Sequence, residues 1–179
     1  WKSSLNMTKV KNTILHTTED NSNINIGQAR ETLGNLVTSY VVGMAGPQIL
    51  GYDFRKDASG NTIVDASGVP LASTKLVSLG SVLPTFYGGF NNEFGLTKSI
   101  SFSFLIDYNF GNKLISMTSR SAMSAGLLKE TLEGRENGFV VNGVTEDGNK
   151  NTQNVSAQTY WSTVASRITS QHVKDGDFI

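Results

Sequence analysis

Hydrophobic and polar positions alternate most clearly over residues 94–111, FGLTKSISFSFLIDYNFG. Phe94, Leu96, Ile100, Phe102, Phe104, Ile106, Tyr108 and Phe110 share one parity. Thr97, Ser99, Ser101, Ser103, Asp107 and Asn109 share the other, and only Lys98 and Leu105 fall on the wrong side. A period of two predicts a β-strand, because successive side chains of a strand point to opposite faces. The aromatic and β-branched content of the apolar parity fits that reading. The run 99–111 is longer than the common strand of roughly 5–6 residues. It suits a tilted membrane-crossing strand, which needs roughly 9–11 residues. The apolar face meets either a second sheet or lipid; alternation alone leaves both open.

Residues 85–94, TFYGGFNNEF, put Phe86, Phe90 and Phe94 on one parity, with Gly88 and Asn92 between them. A tight reversal through 95–98 then predicts an antiparallel hairpin. Pro84 stands where a strand can begin. Residues 1–10 also alternate, with Trp1, Ser3, Leu5 and Met7 on one face and Lys2, Ser4, Asn6 and Thr8 on the other. A fourth strand is predicted within 40–54, where Leu50, Tyr52 and Phe54 alternate with Ile49, Gly51 and Asp53. Gly43, Gly46 and Pro47 predict a bend before it.

Two segments carry helical spacing instead. Met123, Leu127, Leu128 and Leu132 suit a helix within 121–133, weakened by Gly126. Tyr160, Trp161, Val164 and Ile168 fall on one face of a helix over 156–168, with Ser156 as its N-cap. Residues 17–35 are polar and irregular, a loop or a weak helix around 28–33. The stretches 55–84 and 112–179 read as two long connections rich in turn chemistry.

Composition narrows the classes. Gly, Ser, Thr and Asn together make 71 of 179 residues, whereas charged residues make only 17%. Fifteen basic and fifteen acidic side chains balance to a net charge of zero, which excludes nucleic-acid binding driven by bulk positive charge. Cysteine is absent, so disulfide scaffolds and thiolate metal sites are excluded. What remains is a secreted β-protein, an adhesin or an outer-membrane β-barrel with large loops. No stretch approaches 18 uncharged apolar residues, so no transmembrane helix is predicted. The start, WKSSLNMTKV, lacks a signal-peptide core; the protein is cytosolic or the chain does not begin at the native start.

Candidate chemistry is sparse. His16 and His172 are the two histidines, and no G-x-S-x-G elbow or indicated carboxylate pair accompanies them. DASGNTIVD (57–65) and EDGNKN (146–151) are oxygen-rich, but neither has the spacing of a twelve-residue calcium loop, and turn chemistry accounts for them better. No metal, cofactor or enzymatic activity is expected. Tyr160 and Trp161 are either a platform for a pyranose ring or anchors of their helix.

Several segments in order resemble one family. They are GYDF (51–54), a Gly-Val-Pro turn (68–70), and then Gly80, Pro84, Phe86, Gly88, Gly89, Phe90 and Asn92. Asp107, Tyr108, Phe110 and Gly111 follow, then Thr131, Leu132, Glu133, Gly134 and Arg135, then VSAQTYW and DGDFI. This order resembles the C-terminal part of SusC/RagA-family TonB-dependent outer-membrane transporters. WKSSLNMTKVKNTIL is similar to a further strand of that family. The likeness spans nearly the whole chain, is strongest over 80–135 and fades over 17–35.

The resemblance implies an all-β fold, part of a large closed antiparallel transmembrane β-barrel. Such plugged barrels have 22 strands. Residues 1–179 would be an incomplete C-terminal portion supplying about four, without the plug or the final strands. In this scheme 1–10 runs towards the periplasm, 40–54 outward, 85–95 inward and 99–111 outward. Residues 11–39 and 95–98 would face the periplasm. Residues 55–84 and 112–179 would be extracellular loops carrying short helices.

The implied function is import of glycans or peptides across the bacterial outer membrane. The implied partners are a SusD-like surface lipoprotein, the TonB system acting through the plug, and membrane lipid. Asp107 and Asn109 would face the lumen, as contacts for substrate or plug, or simply as solvated wall and strand-end positions. The rival is a soluble secreted β-sandwich, an adhesin or carbohydrate-binding module. A sandwich needs about seven short strands with turns every 8–12 residues; four strands and two long connections fit it less well.

Overall fold

The computed structural model describes residues 1–28 and 36–179. Its first half comprises β1 (Lys2–Lys9), β2 (Ile24–Gln28), β3 (Val37–Tyr40), β4 (Pro47–Gly51), β5 (Ile63–Val64) and β6 (Val77–Ser81). The long strands β7 (Phe86–Gly95) and β8 (Ser101–Phe110) follow. Then come β9 (Lys113–Ile115), helix α1 (Met117–Ser124) and a 3-10 turn (Lys129–Leu132). The chain ends with β10 (Phe139–Val140), β11 (Val144–Thr145), β12 (Asn154–Val155), helix α2 (Ala157–Arg167), a second 3-10 turn (Thr169–His172) and β13 (Val173–Asp175). The fold is mostly β, with strands that pair antiparallel except for β5 with β11. The strands form several separate sheets, none of which closes on itself among the described residues.

The hairpin read from alternation is present. β7 pairs with β8 from Phe86↔Phe110 to Gly95↔Ser101, and Phe94 faces Phe102 while Phe90 faces Ile106. The reversal runs through residues 96–100, closed by Leu96 N–H donating to Ile100 O at 2.8 Å. β1 is the strand predicted over 1–10, and it pairs along the other edge of β7 from Lys2↔Glu93 to Lys9↔Phe86. The result is a three-stranded antiparallel sheet in the order β1-β7-β8.

This order corrects the four-strand scheme. Residues 40–54 do not lie between 1–10 and 85–95, because β1 bonds to β7 directly. β1 and β8, both antiparallel to β7, therefore run in the same direction; opposite directions for 1–10 and 99–111 do not hold. The segment 40–54 is itself divided. A turn over 41–46 separates β3 from β4, and these two pair with each other and with β2 and β6 in a second sheet, β2-β3-β4-β6. All five residues of β4 are buried, so both of its faces are covered, unlike a strand with one face in lipid and one in a lumen. Beyond Gly51 only Phe54 bridges, to Ala72. The long connection 55–84 contains β5 and β6 rather than a structureless loop. The weak helix expected around 28–33 falls, beyond Gln28, outside the described residues.

The other described elements gather at one end of that sheet. Val10 N–H donates to Thr85 O, Thr85 N–H to Phe110 O, and Asn109 pairs with Phe178. The described residues of 11–85 and the segment 111–179 join there into a lobe with buried clusters of its own. One cluster holds Val64, Val69, Val141 and Val155; another Met123, Val164, Ala165 and Ile168; a third Leu36 and Ile49. Helix α2 begins as predicted: Ser156 is its N-cap, and its side chain accepts from Thr159 N–H. Val164 and Ile168 are fully buried, with Tyr160 and Trp161 packed against them. The predicted helix over 121–133 is broken into α1 and a 3-10 turn. Gly126 is the reason, since its φ of +70° ends α1 in the left-handed region that favours glycine.

Candidate functional site

The three-stranded sheet has two unlike faces. Register places Trp1, Leu5, Met7, Phe86, Phe90, Phe94, Phe102, Phe104, Ile106, Tyr108 and Phe110 on one of them. Among the described residues no element of the lobe covers this face, and Leu5, Phe102 and Ile106 are 58%, 53% and 41% exposed. Apart from Phe90, its aromatic rings form two groups. At the turn end Trp1 stacks on Phe94 at 5.9 Å, and Phe94, Phe102 and Phe104 lie 5.9–6.5 Å apart. At the lobe end Phe86 lies 5.3 Å from Tyr108 and 6.5 Å from Phe110. Leu5, Met7, Phe90 and Ile106 fill the band between. The two outer rows are eight residues apart, about 26 Å along the strands. At a tilt of about 40° that separation is about 20 Å of height.

Two details hold this face together. Tyr108 lies across Gly88 and donates its hydroxyl to Asn6 O on β1 at 2.9 Å, crossing β7. A Cβ at position 88 would overlap both partners, so the crossing requires glycine. Asn92 is the polar residue under the turn-end rings; it is 2% exposed, and its Oδ1 accepts from Trp1 Nε1 at 3.2 Å.

The other face carries Asn6, Thr8, Tyr87, Asn91, Ser101, Ser103, Asp107 and Asn109. Asp107 is exposed opposite Gly89. Asn109 is engaged: its Nδ2 donates to Asn112 Oδ1 at 2.6 Å, tying the strand end to the lobe. Asp107 and Asn109 line a shallow concavity of about 510 Å³ with Asn6, Tyr87 and Phe178. The sequence reading passed over Asn6 and Tyr87. Both were marked by lying on the parity opposite the apolar residues.

Tyr160 and Trp161 lie in the lobe, in neither face of the sheet. Tyr160 is mainly an anchor. It meets Phe139 edge-on at 4.9 Å and joins two of the buried clusters, and burial raises its hydroxyl pKa above the ordinary value, with Glu133 adding to the shift. Trp161 meets Tyr160 edge-on at 4.8 Å and also lines an open cleft of about 520 Å³ between α1 and the start of α2. Its Nε1–H is buried without an acceptor. Arg135 and Gln158 line the same cleft. Arg135 was visible within the Thr-Leu-Glu-Gly-Arg motif; Gln158 carried no signal.

The remaining titratable candidates are structural. Asp57 Oδ1 accepts from Ser59 and Asn61 N–H at 2.8 Å, and the Asn61 amide side chain heads the hydrogen bonds that hold its carboxyl below the ordinary carboxylate value. Glu146 pairs with Arg55 at 2.7 Å. No cluster of three potential metal ligands occurs among the described residues. His172 is fully buried with Nε2 2.9 Å from Ala165 O, so that nitrogen donates and Nδ1 is left without a partner. Burial lowers its pKa, and Arg120 and Lys174 add to that against the Ala165 hydrogen bond. Among the described residues no helix is long and apolar enough to cross a membrane. No protein-family model matches the chain, and no curated protein matches it.

Proposed function

We propose that β1, β7 and β8 are wall strands of an outer-membrane transport barrel, with the lobe as its extracellular part. The observation that carries this reading is the bare apolar face bounded by two groups of aromatic rings. Lipid facing that band, with rings at both interfaces, is the arrangement of outer-membrane barrels. A soluble sandwich would bury the same face beneath a second sheet, and none lies there among the described residues. At 10 residues each, the antiparallel strands β7 and β8 match the roughly 9–11 residues that a tilted membrane strand needs, and β1 has 8.

Both long edges of the sheet carry unpaired backbone groups, which hydrocarbon does not tolerate. Further strands therefore complete the wall. Barrels place their short turns on the periplasmic side and their long loops outside. With 96–100 on the periplasmic side, β1 and β8 run outward, and 11–85 and 111–179 both lie outside. The cargo follows from the family likeness: a glycan or peptide, held from outside by a SusD-like lipoprotein, with energy delivered through a plug by TonB. The chemistry is binding and gating, without bond breaking.

Probing outer-membrane fractions of the producing cells with an antibody to residues 112–179 tests the proposal. A band that changes mobility on boiling, as closed barrels do, is expected. A soluble or secreted band insensitive to boiling would overturn it.

A further inference from the structure

The cleft between α1 and α2 contains a cation with no counter-ion. Arg135 is held by neutral acceptors: its Nε donates to Thr131 O at 3.0 Å, and its Nη2 donates to Gly126 O and, at 3.3 Å, to Thr131 Oγ1. Thr131 is buried, and its own hydroxyl donates to Leu128 O at 2.6 Å. The guanidinium is thus fixed at three of its five N–H groups. Among the described residues nothing accepts from Nη1, and no carboxylate pairs with the side chain. A held, always-charged guanidinium with Nη1 free favours an anionic acceptor such as a carboxylate oxygen.

The rest of the lining favours a ring. Trp161 is the one aromatic side chain at the cleft, Met123 and Leu127 extend the apolar surface, and the exposed Gln158 offers an amide donor and acceptor. The volume, about 520 Å³, is in the range of small-molecule sites. We infer that this cleft binds an acidic saccharide, a pyranose packing on Trp161 with its carboxylate on Arg135 Nη1 and its hydroxyls on Gln158. This rests on the reading of the lobe as the outer part of a transporter and narrows the cargo to uronate-bearing glycans.

Calorimetry on the full chain in detergent micelles tests it, with an oligoglucuronide, the neutral oligoglucoside of equal length and a short peptide with a free C-terminus as probes. The expected result is binding of the oligoglucuronide, weakening with added salt, with the neutral sugar and the peptide each at least about tenfold weaker. Gln158→Glu places a like charge beside the ligand without touching the bonds of Arg135. It should weaken oligoglucuronide binding about tenfold at an unchanged unfolding midpoint. Arg135→Gln should abolish the preference for the charged sugar. Equal affinity for the two sugars, tighter binding of the peptide, absence of binding by all three, or indifference to Gln158→Glu would overturn the inference. Boiling-sensitive mobility in outer-membrane fractions is independent of all these variants, so failure here and failure of the transport reading are separable.

Discussion

The sheet β1-β7-β8 and the lobe at its end use the same residue types in opposite ways. In the lobe, Ile49, Val64, Val164 and Ile168 are fully buried among one another and their neighbours. On the apolar face of the sheet, Leu5, Phe102 and Ile106 stand 41–58% exposed. The lobe buries these side chains within the chain, although Leu15 and Leu127 within it are exposed. The sheet leaves an ordered apolar face uncovered by the other described residues. Periodicity identifies which residues share a face; whether that face is met by protein or by lipid is decided by what else the chain can bring to it.

The contrast is sharpest in core truncation. Ile168→Ala should cost the lobe about 2–5 kcal/mol, because it opens a cavity at a fully buried site. Phe102→Ala on the sheet should change lobe stability by no more than about 0.5 kcal/mol, as at an exposed site. Urea unfolding in detergent compares them, and similar losses would erase the distinction between the two regions.

Charge insertion reverses the order of sensitivity. Ile106→Arg lies in the middle of the apolar band and should destabilise the membrane-assembled protein by about 2–4 kcal/mol. Ser103→Arg, on the opposite face and equally exposed, should be tolerated. The amount of boiling-sensitive protein in outer-membrane fractions is the readout. Tolerance of both would mean that the band faces water.

Gly88→Ala should follow at about 1–3 kcal/mol, since the added Cβ overlaps Asn6 O and the Tyr108 hydroxyl. Tyr108→Phe in the same background should recover part of the loss, measured by unfolding in detergent. Recovery by Ile168→Ala instead would place the strain elsewhere.

The smallest effect is a pH dependence confined to the lobe. The pKa of His172 is lowered in the fold, so the unfolded chain binds its proton more readily. Its contribution is complete above the unfolded value near 6.5 and is lost as pH falls from there through the folded pKa. The charged groups nearest to it, Arg120 and Lys174, oppose protonation further. The unfolding midpoint of the lobe should drop between pH 7 and pH 5, and His172→Gln should flatten that drop.

Much of this was legible in the sequence wherever a strand is long and sorted. β7, β8 and β1 follow from parity, and α2 follows from Ser156 and the spacing of Tyr160, Val164 and Ile168. The segment 40–54 was misread because a fully buried strand does not alternate, and the run Leu50-Tyr52-Phe54 continues past the end of β4 at Gly51. The direct pairing of β1 with β7 spans some eighty residues, and no local signal encodes it. Of the candidate residues, Asp107, Asn109 and Trp161 line concavities, with Asn109 also tied to Asn112, whereas Tyr160 is packed among the buried clusters. Arg135 and Gln158 come together only through the packing of α1 on α2, which neither segment reveals alone.

The central claim is that one face of β8 meets lipid. The chain has no cysteine, so single cysteines at each position from Ser101 to Phe110 can be labelled with a nitroxide in membranes of cells producing the protein. Accessibility to oxygen and to a water-soluble nickel complex should then alternate with a period of two. Labels at 102, 104 and 106 should favour oxygen, and labels at 101, 103 and 107 should favour the nickel complex. Equal access of the nickel complex to both parities would contradict the account.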